Sequence, residues 1–148
     1  MKRLLAGLAA IGLAGFGVSS ADERSLPDEA WLAHRLIGAD QAKVPGSDLL
    51  PDGYSLCAAG SYQFDLPEGY ETAERELESG GLLPVGEGSG LLFSLDSNRR
   101  VHHVSSLTVR PGAVMLEAAD SVCILATSAQ LDLRRESTSI IIELSGSN

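Results

Sequence analysis

Basic residues are scarce in this chain. Eleven Lys and Arg stand against twenty Asp and Glu, a formal charge of −9. Such a surface repels phosphate backbones and anionic headgroups, so neither nucleic acid nor a membrane surface is an expected partner. Aromatics make up only 5% of the chain, so a sugar-stacking groove would have to be drawn from Trp31, Tyr54, Tyr62 and Tyr70. Cysteine is limited to Cys57 and Cys123, with no Cys-x-x-Cys spacing, which excludes that kind of thiol exchanger. No apolar run is long enough to span a bilayer. The longest, Leu4 to Val18, makes about 22 Å of helix against a hydrocarbon core of roughly 30 Å.

Several chemical signatures are also missing. Gly86-Glu87-Gly88-Ser89-Gly90 lacks the Lys-Ser or Lys-Thr that completes a phosphate loop, and its Glu87 would repel phosphate; it reads as a linker. No Gly-x-Ser-x-Gly elbow and no Asp-x-Asp-x-Asp-Gly calcium loop occurs. No cofactor or metal is therefore expected, and an enzyme is the less favoured reading.

What is present begins with a leader. Lys2 and Arg3 precede the apolar stretch, and Ser19-Ser20-Ala21 supplies small residues before charge resumes at Asp22. That order predicts a secretory signal peptide over residues 1–21, with cleavage after Ala21. The remainder, residues 22–148, reads as one acidic domain in the periplasm or outside the cell. Losing Lys2 and Arg3 with no acidic residue takes its formal charge from −9 to −11. In an oxidising compartment Cys57 and Cys123 are expected to pair. Closing that loop of about 66 residues would stabilise the fold by roughly 4 kcal/mol on a chain-entropy argument.

The periodicities predict a mainly β fold of the α+β kind: a small antiparallel β-sandwich or barrel with an N-terminal helix and a second short helix. Leu26, Ala30, Ala33 and Ile37 recur at helical spacing, widened by Leu32 and Leu36. Ser25 is the predicted cap, with Asp28 completing a capping box, Gly38 as the stop and Trp31 as an anchor. The second helix is predicted over Glu71 to Glu78, where Tyr70, Ala73 and Leu77 share a face and Glu71 can pair with Arg75. Leu50-Pro51-Asp52-Gly53-Tyr54 and Leu66-Pro67-Glu68-Gly69-Tyr70 echo one another and suit type I turns with Gly last. Tyr54 to Cys57 and Ser61 to Asp65 read as short strands, while Gly38 to Gly53 reads as polar and broken. After Gly90, alternation at Leu91-Phe93-Leu95, Val101-His103-Ser105-Leu107-Val109, Val114-Leu116-Ala118 and Leu131-Leu133, followed by the β-branched run Ser139 to Leu144, predicts strands separated by short turns. Val122 to Ala126 is apolar throughout and is the predicted central strand.

His102 and His103 are the most chemically suggestive pair. Neighbours on a strand point to opposite faces, so the two rings do not readily ligate one metal. The spacing predicts His103 half-buried beside Val101 and Leu107, and His102 in solvent. Glu68, Glu71, Glu74, Glu76 and Glu78 form an acidic cluster; Glu68, Glu71, Glu74 and Glu78 are the expected partner-binding residues. Arg99-Arg100 and Arg134-Arg135 offset nearby acids, or form an anion-binding spot should the two pairs meet. Together these features point to an exported, non-enzymatic binding protein, such as an inhibitor or neutralising partner of a basic envelope-active protein. Two alternatives follow: a carbohydrate- or peptidoglycan-binding envelope module, and a small secreted hydrolase using His102 or His103.

Overall fold

The computed structural model of the chain describes residues 26–62, 65–108, 114–117, 122–137 and 139–146. The predicted leader, the Ser25 cap and the turns around Pro111 and Asp120 lie outside them. Two helices and eight strands occur within them: α1 (Glu29–Arg35), β1 (Gln41–Pro45), β2 (Ser55–Ala59), α2 (Glu71–Ser79), β3 (Ser89–Leu95), β4 (Val101–Thr108), β5 (Val114–Glu117), β6 (Val122–Leu125), β7 (Ala129–Glu136) and β8 (Ser139–Gly146). One sheet runs β1-β7-β8-β5 and the other β4-β3-β2-β6. Neighbouring strands are antiparallel except β5 and β8, which run parallel in register Val114 with Ile140. The chain leaves β5, visits the other sheet as β6, and returns through β7 before β8 pairs with it.

Period-two alternation sorts the side chains into layers. Leu56, Ala58, Leu92 and Leu107 of the second sheet meet Val44, Leu131, Leu133, Ile140 and Ile142 of the first, forming the core between the sheets. Leu26, Leu32 and Leu36 of the α1 segment join that core. The opposite face of the second sheet presents Cys57, Ala59, Leu91, Phe93 and Leu95 to Ala73 and Leu77 of α2. β2 is therefore covered on both sides and buried along its whole length. The outer face of the first sheet is ionic: Lys43 faces Asp132, and Arg134 bridges Glu136 and Glu143.

Several expectations change in the structure. Val122 to Leu125 is not central but the edge strand β6, only half-buried, with Leu125 exposed. It reads as uniformly apolar because Val122 and Ile124 face the inter-sheet core while Cys123 faces the α2 side. The central strands are β2 and β3. β1 falls in the segment read as broken; Pro45 stands at its end and the strand is at a sheet edge, where a missing N–H is tolerated. Ser61 and Tyr62 form a turn rather than a strand, and residues 63–64 lie outside the described residues. In α1 the N-cap is Asp28, whose carboxylate accepts from Trp31 N–H at 2.8 Å, and the buried stripe is Leu32 and Leu36 while Ile37 is exposed. Trp31 packs half-buried against the core, as expected.

The two echoing turns also differ from expectation. Tyr54 N–H donates to Pro51 O and Tyr70 N–H to Pro67 O, at 3.2 and 3.3 Å, so Gly53 and Gly69 occupy the third position. Their φ angles are +82° and +93°, the left-handed conformation that a type II turn requires at that position and that glycine adopts without penalty.

Cys57 and Cys123 are bonded, directly opposite one another across β2 and β6, with Cα atoms 4.1 Å apart. The bridge fastens the edge strand to the fully buried one.

Candidate functional site

The acidic cluster lies on the outside of the second sheet, and the sheet explains its helix. Ala73 and Leu77, four residues apart, bury one stripe of α2 on Phe93 and its neighbours, leaving the remaining positions to charge. The predicted binding residues divide into two groups. Glu74 turns back to accept Leu66 N–H at 2.7 Å, and Glu71 accepts Gly69 N–H at 3.0 Å. Glu68 and Glu78 lie exposed. Hydrogen bonds from its own amide and from Gly69 N–H, helped by Arg99 and Arg75, hold Glu71 below the ordinary carboxylate range. Arg75 donates from Nε to the Glu71 carbonyl at 3.3 Å.

The residue that organises the cluster is Glu76, which composition alone gave no reason to separate from its neighbours. It receives the Arg100 guanidinium through Nε and Nη2, and Val101 N–H at 2.8 Å. The Val101 amide is the larger cause, with Arg100 next, of a Glu76 carboxyl held below its usual range. α2 is thereby tied to the β3–β4 hairpin, and a shallow depression of about 490 Å³ opens there among Thr72, Arg75, Glu76, Ser79 and Arg100.

The hairpin has a tight tip. Asp96 accepts through its carboxylate from Asn98 N–H and Arg100 N–H, and Arg99 takes a left-handed φ of +59°. From there Arg99 donates Nη1–H to Gly69 O at 2.8 Å, its guanidinium 4.8 Å from the Tyr70 ring centre. Arg134 and Arg135 belong to the other sheet, where Arg134 meets Glu136 and Glu143 and Arg135 reaches Leu36 O. The two arginine pairs thus serve separate layers with separate partners.

A bulge settles the histidines. Ser94 pairs with His103 and Leu95 with Val101, so His102 is the extra residue and the alternation slips by one. Val101 and Val104 consequently face α2 while Leu107 faces the inter-sheet core, and both histidines are exposed. His103 is therefore not the half-buried neighbour of Val101 that strict alternation implied. His102 meets Tyr54 edge to face, with ring centres 5.1 Å apart. Ser94 stands opposite His103 across the strands, yet it is fully buried and its Oγ has no hydrogen-bond partner. A Ser–His nucleophile needs a bonded, reachable hydroxyl, and Ser94 is neither.

Elsewhere, a cleft of about 350 Å³ lies where β1, the β6–β7 turn and the end of β8 converge. Pro45, Thr127, Ser128, Gln130 and Ser145 line it with no titratable side chain. Among the described residues no three His, Cys, Asp or Glu side chains gather in a way that could hold a metal ion, and no helix is long and apolar enough to cross a membrane. Compared with protein-family models, with curated proteins and with solved structures, the chain finds no match.

Proposed function

We propose that the chain is an exported binding protein that presents the α2 side of its second sheet to a basic protein partner. The observation that supports this reading is how the glutamates divide. Glu71, Glu74 and Glu76 spend their carboxylates fixing the helix and its flanking turns, so the surface carrying Glu68 and Glu78 is held rigidly in solvent. A fixed charged surface orders few groups on binding, and a formal charge of −11 once the leader is lost draws a cationic partner in from a distance. An inhibitor or neutralising partner of an envelope-active basic protein is the role this chemistry suits.

The test is retention of envelope proteins on the immobilised protein at low and at high salt, with the Glu68→Lys/Glu78→Lys variant in parallel. A basic protein held at low salt, released at high salt and not held by the variant is the expected result. Failure to hold any basic protein at low salt, or equal retention by the variant, contradicts the proposal.

A further inference from the structure

We infer that the turn Pro51–Tyr54 is a receptor for an arginine side chain supplied by the partner; this rests on the basic-partner reading above. The second of the two echoing turns shows what such a turn does. At Pro67-Glu68-Gly69-Tyr70, the Gly69 carbonyl and the Tyr70 ring together hold a guanidinium, that of Arg99. The carbonyl accepts a planar N–H donor while the ring face meets the cation, a combination that suits Arg far better than Lys.

The first turn repeats the receptor. Pro51-Asp52-Gly53-Tyr54 closes with the same hydrogen bond, Tyr54 N–H to Pro51 O, and its glycine has nearly the same φ, +82° against +93°. Tyr54 is half-buried like Tyr70, so its ring is braced by packing and still accessible. Asp52 stands where Glu68 stands in the other turn, and both are exposed, which places a carboxylate beside each receptor. Both turns lie beside the same hairpin: a Cβ on Gly69 would meet Arg99 and one on Gly53 would approach Ser97. What differs is the occupant. Among the described residues no Lys or Arg lies over Tyr54, whose ring neighbour is the imidazole of His102, 5.1 Å away and perpendicular to it. The hairpin sends Arg99 to one turn and leaves the other with an aromatic ring, an acidic neighbour and an exposed Gly53.

The experiment is an NMR titration of the purified, disulfide-closed protein at low salt with a blocked Gly-Arg-Gly peptide. Its citrulline counterpart, the same shape without charge, serves as the control. Amide shifts at Gly53 and Tyr54 and a ring shift at His102, seen with arginine and not with citrulline, are expected. Tyr54→Phe should keep the response and Tyr54→Leu should lose it, while Asp52→Asn, at an exposed site that leaves the fold alone, weakens binding about threefold. Should Tyr54→Leu fail to fold, the citrulline peptide and Asp52→Asn still decide the matter. Shifts confined to the α2 surface would overturn this inference and leave the basic-partner reading standing. No shift anywhere would remove both.

Discussion

Replacing Gly46 by Ala tests how the two sheets meet. Gly46 follows β1 of the first sheet, is buried, and accepts both Leu49 N–H and Leu50 N–H at 2.9 Å as the chain turns toward the core. A Cβ there would stand 2.6 Å from Ala126 O, in the turn that leaves β6 of the second sheet, and 2.8 Å from Ala129 Cβ, at the start of β7. Neither neighbour is the far end of a flexible side chain, so backbone on one side must move. Overpacking of this kind costs about 1–3 kcal/mol. Gly86→Ala is the control, because nothing lies within 4 Å of its added Cβ. That change should be neutral or stabilise by about 0.5 kcal/mol through the unfolded chain. Urea unfolding followed by Trp31 fluorescence gives both values, with a lower midpoint and an unchanged slope expected for Gly46→Ala. Equal midpoints for Gly46→Ala and the parent would refute the packing of β1 against the β6–β7 turn.

Three further outcomes follow. Replacing Cys57 and Cys123 together by Ala should cost about 2–4 kcal/mol, and amide exchange should rise first in β6, the edge strand that the bridge fastens; uniform exchange would argue against that role. Ser94→Ala should raise stability by about 1 kcal/mol, since it deletes a buried hydroxyl without a partner; a loss of stability by urea unfolding would show that the hydroxyl is satisfied. Glu71 and Glu76 have carboxyls lowered in the folded state, so their contribution is complete above the ordinary carboxylate range and is lost as pH falls through the lowered values. Below about pH 4 the parent should therefore lose more stability than Glu76→Gln, measured by urea midpoints across the acid range; parallel pH profiles would exclude the α2–hairpin clamp as the cause.

The parts of the fold legible in the sequence were those where one physical signal dominated. Leu131 and Leu133, and Leu91, Phe93 and Leu95 alternate because each strand divides between two environments, and the period survives in the structure, while the β-branched run Ile140–Ile142 is buried throughout. The Ala73–Leu77 stripe and the Cys57–Cys123 pairing were equally plain. Other features depended on long-range pairing. β1 carries only Val44 as a fully buried side chain, and β6 looks central because its two faces are apolar for different reasons. The bulge at His102 is set by how β4 meets β3, so the side on which Val101 packs could not be read from alternation alone. Within the candidate site, the count of glutamates was visible but the division of labour was not. Glu76 differs from Glu78 only in facing Arg100 and Val101, residues some two dozen positions away in sequence.

On the proposed reading, binding is concentrated at the α2 side and not spread over a uniformly acidic surface. The decisive measurement is calorimetric titration with a lysine- and arginine-rich polypeptide across a salt series, comparing Glu68→Lys/Glu78→Lys with Asp48→Lys/Glu136→Lys. The two variants change net charge equally. Affinity that falls steeply with salt and is lost in the first variant but largely kept in the second is the predicted result. Equal losses in both, or no binding by the parent at the lowest salt, would contradict it.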